Sequence, residues 1–250
     1  MCHRRKVPGT TDRTRRHAMV SHQHRCIFVH IPKTAGTSIE KKLGFLDEVA
    51  WNAQDHRTIR DVEPFAPHQL RTLLRRRDPY LIKRLRDRSR GLPRATAEQY
   101  RTYFKFAFVR NSWGRVFSWY GNVMHDEGHR RRVGITSEMP LRDFLVRYPD
   151  EWGLRSQLYW IADSRGEVPL DFIGRFERLN ADFSHVCDVL GFPDRELPKL
   201  LTGDGRSYVD HYDPESIEIV RRRYAPEIAR FGFEFGQLSL IHISEPTRPY

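Results

Sequence analysis

The chain has 250 residues, 39% apolar and 12% aromatic, with 43 Lys and Arg against 32 Asp and Glu for a net charge of +11. That composition sustains one α/β domain and excludes a disordered chain, and the charge points to anionic partners: a nucleotide, an acidic polysaccharide, nucleic acid or a membrane surface. No apolar run approaches the ~18 residues of a membrane span. Cys2, Cys26 and Cys187 lack the CxxC spacing of a metal site or a disulfide framework, so Cys26 and Cys187 read as core thiols.

Residues 1–24 are basic, lack an apolar period and read as a disordered tail; they also lack the apolar centre of a signal peptide. The domain is expected over 25–237. It opens on Cys26 to Leu43, where the run Ile27 to Ile31 predicts a buried strand. Pro32 ends that ladder, and the turn Lys33-Thr34-Ala35-Gly36-Thr37-Ser38 leads into a helix marked by Ile39, Leu43 and Leu46. The turn holds what an anion needs: a glycine for close backbone approach, two hydroxyls, helix-start N–H groups and a lysine. It is not a standard P-loop, because Lys33 precedes Gly36 by three residues rather than following a glycine directly. Residues 55–58 read Asp-His-Arg-Thr, and His68 lies in a second polar segment. Over 70–94 two short amphipathic helices are predicted, separated at Asp78-Pro79, as a basic insert that either contacts an acidic acceptor or forms a solvated face.

A second strand–turn–helix unit follows over 104–120. Phe104, Phe106, Phe108 and Val109 form the strand, Arg110-Asn111-Ser112 the turn, and Val116, Phe117 and Tyr120 the helix. Arg110 offers a planar fork to a phosphate, and Ser118 adds a hydroxyl two turns on. His125 and His129 stand at i, i+4 spacing without an evident third ligand, so no metal is expected. A helix is predicted over 141–148, then a glutamine–aromatic segment from Gln157 to Ile161. A third strand comes at 172–177, with Arg175 and Glu177 as an ion pair or nucleotide ligands. The helix from Asn180 to Leu190 is capped by Asn180 and stopped by Gly191 and Pro193. Gly203, Gly205 and Arg206 form a basic loop before a helix from Pro214 to Arg230. The last segment, LSLIHISEPTRPY (238–250), looks like a translated sequencing adaptor and is excluded from fold reasoning.

IPKTAGTSI resembles the 5′-phosphosulfate loop of the sulfotransferases, in particular the carbohydrate-type branch, and VRNSWGRVFSWY resembles that family's 3′-phosphate motif. DFIGRFERL and IARFGF resemble its later elements, in the family's order, so that the likeness runs from about Ile27 to Phe235. The resemblance implies a P-loop-like three-layer α/β sandwich with a central parallel sheet. It implies 3′-phosphoadenosine 5′-phosphosulfate as sulfuryl donor, without metal, and a hydroxyl acceptor on a glycan or glycolipid rather than nucleic acid. By the same resemblance Lys33 is catalytic and the backbone of Thr34, Ala35, Gly36, Thr37 and Ser38 holds the 5′-phosphate side. Arg110 and Ser118 hold the 3′-phosphate, Arg206 folds over the donor, and His56, or else His68, takes the acceptor proton. Arg115 is expected to be structural. Ser112 and Gly114 depart from the family's usual proline and aspartate, and Ser112 is expected to loosen the turn. With no anchor in sight, the expectation is a soluble, bacterial, cytoplasmic enzyme. A nucleotide kinase and a non-catalytic basic binding protein are the competing classes.

Overall fold

Alternation of side chains in three short strands builds the core. In the computed structural model, residues 19–46, 54–64, 95–198 and 207–237 are described. The strands are β1 (Val20–Ser21), β2 (Cys26–Val29), β3 (Phe104–Val109) and β4 (Phe172–Arg175), in the sheet order β1-β2-β3-β4. β2 runs parallel to β3, with Val29 beside Ala107, and β3 runs parallel to β4, with Val109 beside Arg175. Successive residues point to opposite faces. Cys26, Phe28, Phe106 and Phe108 therefore share one core with Ile39, Leu43, Phe183 and Val186, whereas Ile27, Val29, Ala107 and Val109 share the other with Trp113, Val116 and Tyr224. Phe28 and Phe106 pack at a ring separation of 5.0 Å. Each such buried ring contributes roughly 1.5–3 kcal/mol by removal from water. Gly174 is required beneath them, since a Cβ there would stand 2.4 Å from Cε1 of Phe108.

The helices covering the sheet are α1 (Gly36–Lys42), α2 (Ile59–Val62), α3 (Ala97–Thr102), α4 (Ser112–His125), α5 (Glu127–Val133), α6 (Leu141–Arg147), α7 (Gln157–Ile161), α8 (Leu179–Leu190), α9 (Pro214–Arg223) and α10 (Ala225–Phe231). α1 and α8 contribute to the Phe28 side of the sheet, and α4, α9 and the 224–233 segment to the other. β2 and β3 are parallel neighbours, so the turns after them emerge side by side, at the sheet edge where open α/β folds bind ligands.

Several elements differ from the sequence reading. The sheet is parallel except for β1, which pairs antiparallel with β2 and lies inside the segment read as a disordered tail. Met19 and Val20 are buried, and the Phe28 amide donates to the Met19 carbonyl. Two apolar residues in a basic segment leave no period to detect, and the strand exists through its partner. The helix predicted from Pro214 to Arg230 divides at Tyr224: Pro226 has no N–H for the preceding turn, and the Tyr224 ring is buried. Asn180 lies inside α8 rather than at its cap, which is Arg178, whereas Gly191 ends the helix at a φ of 73° as expected. Arg175 donates to the Phe231 carbonyl and Glu177 accepts from the Asn111 amide, in place of the expected pairing with each other. Cys26 and Cys187 are free, buried thiols. The basic insert at 70–94, His68, Arg206, residues 1–18 and the 238–250 tail lie outside the described residues.

Candidate active site

The loop after β2 is held in an uncommon backbone form. Lys33 and Ala35 both have positive φ, 69° and 67°, and Ala35 caps α1 in the left-handed conformation with no side-chain hydrogen bond. A left-handed residue leading into a helical one is the backbone signature of an anion-binding nest, and it is strained for a residue with a Cβ. Thr34 is fully buried, and its hydroxyl donates to the Ile31 carbonyl at 2.9 Å, so it braces the loop from within. Thr37 is buried and Ser38 half-buried at the start of α1. Gly36 is obligatory: a Cβ there would lie 1.9 Å from Cδ2 and 2.1 Å from Nε2 of His30.

His30 ends the strand run and is buried. Its Nδ1 donates to Glu40 Oε1 at 2.8 Å, across the loop and one turn into α1. The same oxygen accepts the Asp55 amide at 3.1 Å. Asp55 in turn accepts from Nε and Nη2 of Arg57. Next to it, His56 donates from Nδ1 to the His30 carbonyl at 3.2 Å, and its ring lies 4.2 Å from that of His30 and 5.1 Å from that of Trp152. Burial first, and then the neighbouring His30, hold the His56 imidazole down to about 3, far below the value near 6.5 expected from sequence. His56 is therefore neutral in this state, with its proton on Nδ1 and a lone pair on Nε2.

The loop after β3 holds Arg110. Its amide donates to Gln157 Oε1 and its carbonyl accepts from Gln157 Nε2, both at 2.8 Å, so that one side chain pairs the main chain like a neighbouring strand. The guanidinium lies 4.0 Å over the Phe176 ring, and Nη1 donates to the Lys33 carbonyl at 3.3 Å. The two loops are thus in direct contact. Asn111 caps α4 with its side chain, accepting from the Trp113 and Gly114 amides, while its own amide donates to Glu177 Oε1. Ser112 does not loosen the turn: its hydroxyl, fully buried, donates to Glu227 Oε1 at 2.7 Å. Glu227 also accepts from the Ser156 hydroxyl and from the amide and Nε2 of Gln157. Arg115 is structural, donating to the Gly153 and Arg155 carbonyls. Ser118 is half-buried on α4.

Lys33 reaches the same helix. Its Nζ donates to Asn122 Oδ1 at 3.3 Å, and Asn122 Nδ2 donates to His129 Nδ1 at 2.9 Å. Burial, and then the Arg110 charge, lower the Lys33 ammonium to about 8; burial likewise lowers Arg110 to about 10. Two desolvated cations side by side, with the Glu177 carboxylate acting on Arg110, favour an anion between them. His129 is buried against Asn122 and His125 is exposed, and no cluster of three metal-ligating side chains occurs among the described residues.

Of the residues singled out in the sequence, Lys33 and Arg110 are in direct contact, and His56 lies against His30, which in turn packs on Gly36 of the 34–38 loop. The sequence reading missed His30, Glu40, Asn122 and Glu227, and noted Gln157 without giving it this role. A histidine inside an apolar run and a glutamate three residues before Leu43 on a helix that buries Ile39 and Leu43 were the available signals.

A sequence model of the Sulfotransferase family matches residues 16–234. The chain is also similar to carbohydrate sulfotransferase 14 from Danio rerio, 24% identical over 199 residues, covering 71% of this chain and 49% of the relative. It thus spans about half the length of the curated relative it matches. No solved structure matches it. The expectation of a cytoplasmic enzyme is overturned. It rested on the lack of an anchor in this chain, but the matched relative is a carbohydrate sulfotransferase of a fish of which only about half is spanned, and the ends of the chain carry no information on anchoring. No helix among the described residues is long and apolar enough to cross a membrane. With most of its length matched by the family model, the chain belongs to the sulfotransferase family.

Proposed function

We propose that the chain transfers a sulfuryl group from 3′-phosphoadenosine 5′-phosphosulfate to a carbohydrate hydroxyl, on a P-loop-like three-layer scaffold. The observation that carries this reading is the contact of the two anion-type loops: Arg110 Nη1 bonds the Lys33 carbonyl at 3.3 Å at the ends of adjacent parallel strands. One nucleotide with phosphate at both ends of its ribose suits two such loops. The bound donor supplies an activated sulfuryl group on its 5′-phosphate.

The chain's own residues divide the remaining work. Backbone N–H groups of the 34–38 loop and the hydroxyls of Thr37 and Ser38 hold the 5′ end. Lys33 places a full charge where negative charge develops on the bridging oxygen. Arg110, its main chain fixed by Gln157 and its fork stacked on Phe176, holds the 3′-phosphate together with Ser118. His56 Nε2 takes the acceptor's proton. In the balanced step the acceptor oxygen bonds to sulfur and the bond from sulfur to the 5′-phosphate oxygen breaks. Its electron pair leaves with adenosine 3′,5′-bisphosphate, and the hydroxyl proton ends on His56. A base held near 3 is weak in the free protein. The several negative charges of a bound donor oppose the effect of burial and raise it.

The test is transfer of labelled sulfate from the donor to a chemically desulfated glycosaminoglycan, with phosphate transfer from ATP–Mg²⁺ as control. Sulfate incorporation that is lost in Lys33→Ala supports the reading. Phosphate transfer without sulfate transfer points to a kinase and contradicts it.

A further inference from the structure

The residues around His56 are organised by a carboxylate outside the two phosphate loops. Glu40 Oε1 receives the His30 Nδ1–H at 2.8 Å and the Asp55 amide at 3.1 Å. His30, so oriented, fills the space that Gly36 leaves open, and offers its carbonyl to the Nδ1–H of His56. One buried oxygen thus ties together the residue that follows β2, the second turn of α1 and the 54–58 segment. Oε2 of the same carboxylate is buried and has no hydrogen-bond partner among the described residues. Residues chosen for stability alone seldom leave such an atom unpaired, and a buried carboxylate with an unpaired oxygen costs stability. The carboxylate is therefore more than the packing requires.

We propose that Glu40 is a positioning residue for the acceptor-activating histidine, and that His30 is the link through which it acts. The carboxylate holds His30 with its proton on Nδ1 and seats Asp55. That seating brings His56 Nδ1 onto the His30 carbonyl and leaves His56 Nε2 as the bare, proton-accepting nitrogen. The groups facing His56 are His30, just after β2, Asp55 on its own segment, and the Trp152 and Trp160 rings; Glu40 and Arg57 reach it through His30 and Asp55. Asp55 is engaged by Arg57, so Glu40 is the carboxylate bonded directly to the neighbouring imidazole. The role assigned to His56 rests on the sulfotransferase reading above. The arrangement of hydrogen bonds does not.

The test uses the whole chain and has two arms. In the first, nitrogen-15 NMR of the histidines without substrate reads the tautomers. His30 and His56 are expected as Nδ1–H forms in the wild type, and His56 as a mixture in Glu40→Gln. In the second arm, Glu40→Gln is compared with wild type for binding of adenosine 3′,5′-bisphosphate and for sulfate transfer to desulfated glycosaminoglycan. Affinity is expected within threefold, the thermal midpoint nearly unchanged, and turnover at least tenfold lower. Glu40→Asp is expected to recover part of the turnover, through its charge. Unchanged tautomers in Glu40→Gln overturn the proposal. So does a parallel loss of nucleotide affinity, which would make Glu40 a brace of the phosphate loop only. A wild type that transfers no sulfate contradicts the sulfotransferase reading instead, and the tautomer arm still decides the positioning claim.

Discussion

The loop at Lys33 and the junction at Arg110 leave adjacent parallel strands and touch one another, yet they are supported in opposite ways. The Arg110 side is overdetermined. Glu227 accepts from three residues on two segments, and Gln157 pairs both main-chain polar groups of Arg110. The Lys33 side is poised: two non-glycine residues have positive φ, a lysine is held at about 8, and Glu40 has one oxygen shared by two donors and the other unpaired among the described residues. Strain and unmet polar groups concentrate where chemistry is expected, and satisfied hydrogen bonds where a ligand only has to be held.

The comparison can be broken most forcefully at Lys33. Lys33→Ala removes the charge at the site of developing negative charge, and turnover should fall about 10²–10³-fold with little change in thermal stability. Steady-state kinetics beside a melting curve checks this, and comparable losses in both would place Lys33 in the scaffold. The opposite pattern is expected at Glu227. Glu227→Ala leaves the buried donors of Ser112, Ser156 and Gln157 unpaired, a loss of about 3 kcal/mol. That lowers the melting midpoint by roughly 10 °C in a chain of this size. An unchanged midpoint would show the Arg110 side to be less rigidly held than its hydrogen bonds indicate.

Gly36→Ala tests the poised side by volume. The added methyl meets an imidazole already fixed by Glu40, and displacing it costs roughly 1–3 kcal/mol. Nucleotide affinity should drop about tenfold or more by calorimetry, and retained affinity would mean the loop can open away from His30. The smallest effect is on pH. Lys33 is lowered, so its charge is present below about pH 8 and is lost as the pH rises through that value, whereas Arg110 stays charged to about 10. Affinity for adenosine 3′,5′-bisphosphate should therefore be full below pH 8 and weaken above it, by up to about tenfold per unit. The limb should vanish in Lys33→Ala. It should move to higher pH in Arg110→Ala, because the Arg110 charge is one of the two causes that lower Lys33. A limb at pH 8 that persists without Lys33 would assign it to another group.

How much of this was legible in the sequence follows the same division. The Lys33 loop is local: strand, proline, glycine, hydroxyls and helix period lie within a few residues and announce one another. Arg110 and its strand were equally legible, as was the stop at Gly191. Glu227 was not, because its partners at 112, 156 and 157 are far away in sequence and no spacing connects them. β1 was hidden because two residues cannot show a period, and its pairing with Ile27 and Cys26 is a tertiary fact. Ser112 looked like a weakened turn because the missing proline was visible and the buried carboxylate replacing its rigidity was not. His56 was singled out by motif. Its low basicity was not, since it depends on burial against His30 and the tryptophans.

The central claim is that the two loops grip the two phosphate-bearing ends of one nucleotide. Calorimetric titration with adenosine 3′,5′-bisphosphate in the absence of metal, beside ATP with Mg²⁺, on wild type and Arg110→Ala tests it most directly. The expected result is metal-independent binding of the bisphosphate by the wild type, weakened about 10–100-fold in Arg110→Ala through loss of a charge-assisted fork. Binding of ATP with Mg²⁺ in preference to the bisphosphate, or bisphosphate affinity unchanged by Arg110→Ala, would contradict it.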